Sequence, residues 1–538
     1  MKQLSVLFFA FCFFSQAFAQ KPTLSSDFSL DISQRYTEIK AGATYNFGYN
    51  QDVLLIKKGK DHLTLQRFKL DGLKKSAQQS QIIEDKGKFV GMLQMEDYVF
   101  VFYSTGNKLS AMKISIISKV VQPAKTIINS KSNVAENFGF ESTFGFSSEG
   151  RIHKFAVKKS FDGSKFLVQY LLQPGLLADK NTKDIVVVGV FDASLQRLWN
   201  QQITLPYPSL KTQKIDFAID ATGNHYMLLK VLKDFPKNDL DAVKELQDYH
   251  VEVLKTVINT GTAQNHKIEI GLNAVEEMVL HPDAKGTMSV FGFYKENHEA
   301  VKALGVFSSL LSEDGAPAEL KVTAIDTAYT NKLDANRLTR IDKGDQDKDD
   351  KYDLENLKIN KVLPNSDGSF VVLAEQRYVN ERYMTTATGI RPVYTYLYRD
   401  VLTYKMNNDG TLAWFKKLPK HQISIKGKRS LSYTYMRGGG SYYLLFLDDF
   451  KNLRLSLDGF AYKFFDGKGG YLYVMAYKIN EETGETEKIA VINTKDIKGL
   501  KLNRFFMDKI IRLSDTNLVI EGFDNKKKNF LMKLSVKK

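Results

Sequence analysis

Cysteine is almost missing: one residue in 538, Cys12. It lies in a stretch that reads as an export signal. Lys2 gives a positive start, Leu4 to Phe14 is an aromatic-rich apolar run, and Ala17-Phe18-Ala19 offers small residues for cleavage. Residues 1–19 are therefore expected to be a signal peptide, with Gln20 as the mature start. Phe11 stands where a lipoprotein signal needs a small residue, so Cys12 is not expected to carry lipid. A mature chain without cysteine excludes disulfides, thiol catalysis and thiolate metal sites together. Long apolar runs are missing too. After the signal, no stretch approaches the ~20 residues that a membrane-spanning helix needs.

The usual catalytic patterns are also lacking. The eight histidines are scattered without metal-ligand spacing, and there is no Gly-x-Ser-x-Gly elbow or phosphate loop. No catalytic residue, metal or cofactor is assigned. Glu375 and Asp448-Asp449, which end apolar runs, are the only acids to watch for glycosidase-like chemistry. Residues 342–355, DKGDQDKDDKYDLE, carry Asp345, Asp347 and Asp349 at calcium-loop spacing. Asp350 and Asn356 occupy the positions where that loop needs glycine and a bidentate glutamate. The run reads as a solvated loop.

Charge and alternation are what the chain does have. The formal net charge is +15. For an exported chain this points away from nucleic acid and toward anionic surfaces such as lipid head groups or acidic glycans. Most of the lysines sit singly on alternating positions, as solvated strand faces do. Short alternating runs rich in Val, Ile, Phe, Tyr and Leu are broken by Asp-Gly, Asn-Gly and Gly-Gly turns, which marks an all-β protein.

A repeat underlies the alternation. A polar turn precedes a very apolar run at Gln51-Asp52, Glu96-Asp97, Asp162-Gly163, Asp220 to Asn224, Asp283 to Gly286, Asp367-Gly368, Gly438 to Gly440 and Ser514-Asp515. A second turn recurs at Asp71-Gly72, Asp192 to Ser194, Thr260-Gly261, Asp314-Gly315, Asp409-Gly410 and Thr483-Gly484. Units of four strands in series predict a β-propeller of eight blades, with seven as the alternative if residues 88–130 are irregular. The last unit has three strands, near 509–514, 517–523 and 529–536. Residues 28–36 are expected to supply its fourth and to close the ring, which removes an exposed edge. Residues 20–538 then form a single domain.

Both tryptophans, Trp199 and Trp414, lie just past the second turn, in DASLQRLW (192–199) and NNDGTLAW (407–414). They are expected to pack between neighbouring sheets. These two stretches resemble the tryptophan-docking repeat of quinoprotein-like propellers. The resemblance implies an eight-bladed ring. It also implies one of two roles: a quinone-dependent dehydrogenase, or a non-catalytic envelope scaffold that helps assemble outer-membrane proteins. The dehydrogenases carry a vicinal cysteine pair that this mature chain lacks.

Long connections between second and third strands are expected at 171–184, 233–250, 379–395 and 448–470, and with the blade connection 326–356 they should decorate one face. Binding normally resides in such loops. Residues 234–250 have helix character, with Leu240, Val243 and Leu246 on one face. Tyr383, Tyr394, Tyr396 and Tyr398, with Arg382 and Arg391, are the candidate partner contacts, because tyrosine and arginine concentrate in binding hot spots. The reading is an exported envelope propeller acting as a non-enzymatic protein-binding or scaffold subunit of an outer-membrane assembly, secretion or transport complex. It would be periplasmic, outer-membrane-associated or extracellular. A carbohydrate-binding or carbohydrate-active propeller is the alternative, and a quinone-dependent oxidoreductase the third reading.

Overall fold

A computed structural model describes residues 24–538, except 84–86, 137, 139–153, 176–178, 236–247, 259, 272, 283–285, 301, 326–353, 387–388, 426, 429, 458, 467–471, 503–505, 525–527 and 538. The signal segment, the helical stretch within 233–250 and most of the acidic run therefore lie outside the described residues.

The chain forms eight antiparallel meanders, one per repeat unit. Their first strands are Ala43–Tyr49, Lys88–Met95, Phe155–Lys159, Thr212–Ile219, Ala274–Pro282, Leu357–Pro364, Thr434–Gly438 and Ile511–Ser514, here taken as the inner strands of blades 1 to 8. The inner strands of blades 8 and 1, 2 and 3, 3 and 4, 4 and 5, and 5 and 6 touch one another. Residues 88–130 are a regular four-stranded blade, so the count is eight.

The apolar run of each unit becomes the second strand, buried on both faces between adjacent blades. Asp52–Lys58 and Met288–Lys295 have their first six and first seven residues fully inside. Such strands lose the apolar/polar alternation because both faces meet neighbouring sheets. Each buried Val, Leu, Ile or Phe contributes about 1.5–3 kcal/mol. The turns recur for a separate reason. Asp192, Asp367 and Asp409 each accept a hydrogen bond from the backbone N–H two residues on, at 2.8, 2.9 and 2.9 Å. This side-chain turn reverses the chain within a few residues. At Gly410, φ is 80°, which a side chain rarely tolerates.

The ring closes as expected. Phe28–Ile32 pairs with Lys528–Val536 from Phe28↔Val536 to Ile32↔Met532, and Tyr36 pairs with Asn529. The first described strand is thus the outer strand of blade 8. Tyr36 donates to Glu521 Oε1 at 2.9 Å, and Glu521 is ion-paired with the buried Lys57 of blade 1 at 2.6 Å. One carboxylate joins the N-terminal segment, blade 8 and blade 1.

Both tryptophans are buried, and each clasps the next blade. Trp199 Nε1–H donates to the Gly223 carbonyl at 3.0 Å, and Trp414 Nε1–H to the Glu481 carbonyl at 3.4 Å. Gly484 lies so close to Trp414 that an added Cβ would sit 2.6 Å from the indole. The scarce residue recurs because the turn of the following blade leaves a slot for a flat ring.

The expected loop at 379–395 is not a loop. The second and third strands of blade 6 run on as Phe370–Thr386 and Gly389–Met406, paired from Val379↔Tyr396 to Thr386↔Gly389. The inner strand stops pairing at Gln376, Gln422–Ser424 pairs with Tyr396–Tyr398 on the other side, and beyond Val379 and Tyr396 the hairpin projects as a two-stranded arm. Arg, Tyr and Thr on both faces of a free hairpin give no apolar period, so the sequence pattern does not separate this hairpin from a loop. The described part of the 448–470 connection, through residues 464–466, packs at the base of the arm. Asn452 ties it down by donating to Asp448 Oδ1 at 2.7 Å and accepting from the Tyr462 N–H at 2.7 Å, and residues 464–465 pair with 422–423.

Candidate functional site

Two features stand out from the ring, the arm and the axial channel. In each blade the second-to-third connection returns to the end where the inner strand begins. The arm therefore rises from that end of blade 6.

Cross-strand register sorts the side chains of the arm. Val379, Glu381, Tyr383 and Thr385 oppose Tyr396, Tyr394, Pro392 and Ile390, and share one face. Asn380, Arg382 and Met384 oppose Thr395, Val393 and Arg391 on the other. On the first face Val379 is 54% exposed, Tyr383 72%, Ile390 71% and Tyr394 41%, an aliphatic and aromatic strip in solvent. Glu381 interacts with both the Tyr383 and Tyr394 hydroxyls and holds these phenols above their usual range. Arg382 and Arg391 are exposed on the opposite face. The structure thus brings Tyr383, Tyr394 and the half-buried Tyr396 together. Tyr398 is a correction: it is 3% exposed, a core residue stacked under the Arg377 guanidinium at 4.9 Å. It shares the register face of the other tyrosines but lies where that face has entered the blade.

The arm is rooted in a buried ionic cluster. Glu375 is ion-paired with Lys420 at 2.9 Å and Arg377 at 2.9 Å, and accepts from Ser432 Oγ at 2.8 Å. Burial pushes the Glu375 carboxyl up, but Lys420 and Arg377 outweigh it and hold the group below its ordinary value. Asp448 is likewise buried, paired with Lys488 at 2.8 Å, and burial raises its pKa. These acids, flagged in the sequence for hydrolytic chemistry, serve as structural counter-ions.

The channel was not foreseen. A cavity of about 1280 Å³ follows the axis, lined mainly by the inner strands of blades 3 to 6. Among the described lining residues there are eight lysines and one arginine against four carboxylates. Each carboxylate is already engaged. Asp216 takes Lys158 at 3.2 Å and the Leu280 N–H at 3.0 Å; Glu277 takes Lys358 at 3.0 Å; Glu276 faces Lys295 at 3.8 Å; Asp515 faces Arg512 at 3.8 Å. Lys159 and Lys361 are exposed on the channel wall, and neither has a carboxylate within ion-pair distance among the described residues. Lys159 donates only to the Gln94 carbonyl, at 3.3 Å. Burial lowers the Lys361 pKa, and Arg512, Lys159 and Lys158 lower it further. His281 lines the same wall, its pKa pushed down to about 4 by burial and then by Lys361 and Lys158. In the sequence these lysines looked like solvated strand residues. Only closure of the ring points them at one another.

No family model and no curated protein sequence matches this chain. Solved structures do resemble it. The WD40 domain of SCAP from fission yeast aligns with a TM-score of 0.38 at 8% identity, over 95% of each chain. The Dos1 propeller aligns at 0.34 and 9% identity, over 84% of this chain and 93% of its own. An uncharacterized protein of Listeria monocytogenes aligns at 0.37 and 8% identity, over 82% and 93%.

The chain is an eight-bladed β-propeller.

That statement rests on the eight meanders and the closing strand. Among the described residues, no helix of this propeller is long and apolar enough to cross a membrane.

Proposed function

We propose that this propeller is a non-enzymatic binding subunit of a bacterial envelope, exported by its leading segment, which captures a protein partner with the blade 6 arm. The observation behind this reading is the exposed strip Val379, Tyr383, Ile390 and Tyr394 on one face of a two-stranded arm. An isolated hairpin is marginally stable in water. Here a buried ionic cluster fixes its base while its tip keeps apolar and phenolic area in solvent. Tyrosine offers such area at little cost in entropy, and free strand edges allow main-chain pairing with a partner. The two tryptophan clasps also support the quinoprotein-like resemblance, and within it the missing vicinal cysteine pair favours the scaffold branch. The carbohydrate-active reading is less favoured, because the carboxylates of the channel are engaged by lysines, Arg512 or backbone.

The test is a variant carrying Tyr383→Ser, Ile390→Ser and Tyr394→Ser, compared with wild type by co-purification from native membranes. The variant is expected to melt like wild type, since these side chains lie outside the core, and to lose the co-purifying protein. Retention of the same protein by a folded variant would remove the arm from the interface.

A further inference from the structure

We propose that the axial channel is a binding site for a soluble ligand bearing more than one oxyanion group, a phosphate or sulfate ester of small-molecule size. This goes beyond the arm and does not depend on it.

The argument starts from charge. Eight lysines and one arginine line the described wall against four carboxylates; Asp184 and Glu481, just outside it, pair with Lys214 at 2.6 Å and Arg437 at 2.8 Å, so nine cations face six carboxylates, an excess of three positive charges. Confined between low-dielectric walls, such charges repel more strongly than they would on an open surface. They also fall at two levels. Lys230, Lys295 and Lys358 surround Glu276 near the start of the inner strands of blades 5 and 6. Lys158, Lys159 and Lys361, with Arg512 beside them, form the other level, and there Asp216 and Asp515 are already engaged. A β-bulge lies between Lys358 and Lys361, which oppose Glu375 and Leu373, two positions apart, so the levels are separated by roughly 7 Å at about 3.3 Å per residue. A single chloride or orthophosphate would neutralise one level only.

The cavity has the scale of a ligand site. Its volume of about 1280 Å³ lies just above the ~300–1,000 Å³ common for small-molecule pockets. The lining also provides more than charge. His281 has a buried ring nitrogen without a hydrogen-bond partner, and the Phe161 ring, 42% exposed, stands edge-on to it at 5.8 Å. A cluster of like charges that makes no structural pair destabilises the fold. An oxyanion placed among Lys159, Lys361 and Arg512 would remove that repulsion and take the free ammonium protons as donors.

The experiment uses the full mature chain, with inositol hexakisphosphate and sucrose octasulfate as multivalent probes and orthophosphate as the single-group comparison. Binding is followed by calorimetry at matched low ionic strength. One multivalent probe is expected to bind per chain, at least 100-fold tighter than orthophosphate, and the tighter of the two identifies the ester. The pair Lys159→Gln and Lys361→Gln should weaken that probe at least tenfold. The pair Lys74→Gln and Lys75→Gln, on the exposed outer strand of blade 1, should leave it unchanged. Without ligand, the channel variant should melt at or above the wild-type temperature, because a repulsion has been removed. Failure of both probes to bind, binding of several per chain, or equal weakening by the two lysine pairs would each overturn the proposal. A lower melting temperature of the unliganded channel variant would also overturn it, by showing that these lysines are structurally paired.

Discussion

Trp414 shows how much one residue can do between blades. Its ring fills the slot over Gly484 and is 7% exposed. Trp414→Ala should cost about 3–5 kcal/mol, the range for emptying a large aromatic site, read from denaturant midpoints at unchanged slope. A loss under 1 kcal/mol would mean that the slot collapses without penalty. His225 carries a prediction about acid. It is fully buried, its Nε2 bonds the Gln169 side chain at 3.2 Å, and burial pushes its pKa down to about 3. The unfolded chain takes up a proton near pH 6.5 and the folded chain does not. The stability from this group is therefore complete above pH 6.5 and is lost as pH falls toward 3. The slope is up to ~1.4 kcal/mol per pH unit. His225→Gln should flatten stability between pH 6 and pH 4 by that amount per unit. An unchanged slope would assign the acid sensitivity to other groups.

At the scale of elements, the second strands were the most legible. Apolar runs behind an Asp or Gly turn became strands in all eight blades, and the turns among the described residues appear where the sequence has them. The arm was legible only as an excess of Tyr and Arg. Whether a tyrosine at 394 or at 398 faces water depends on how far the blade's neighbours extend along the strand. The same register face is 41% exposed at Tyr394 and 3% at Tyr398. Nor does the sequence show the ionic root of the arm, since Glu375, Lys420 and Ser432 are 57 residues apart from first to last. Breaking a buried charge cluster leaves an uncompensated ion, which explains why the arm is held firmly where it leaves the ring.

At the scale of the whole molecule, the ring is held by polar contacts between the inner strands of successive blades. Gln94 Nε2 donates to the Gly48 carbonyl at 2.7 Å, and Asn46 Nδ2 to the Lys509 carbonyl at 2.8 Å. Blades 7 and 8 meet through the Arg437 N–H and the Asp515 carbonyl at 2.8 Å. The closing strand completes this ring. Removing residues 20–36 would expose the edge of Lys528–Val536, uncover the sites of Phe28 and Leu30, which are 0% and 6% exposed, and leave Glu521 without Tyr36. The truncated protein should aggregate or melt well below the full mature chain. Melting at the same temperature, as a monomer, would show that the strand is dispensable.

Local pattern and turn chemistry determined the all-β class, the number of repeat units, the N-terminal closing strand and the burial of both tryptophans. These follow from apolar periodicity and from the need to leave no sheet edge open, both of which are properties of short stretches. Tertiary structure alone decided which tyrosines of blade 6 reach solvent, and that isolated lysines on separate inner strands share one channel. Those outcomes depend on contacts between residues tens to hundreds of positions apart. In the sequence, Lys159 and Lys361 are two solvated side chains, and it is the closed ring that turns them toward a common axis.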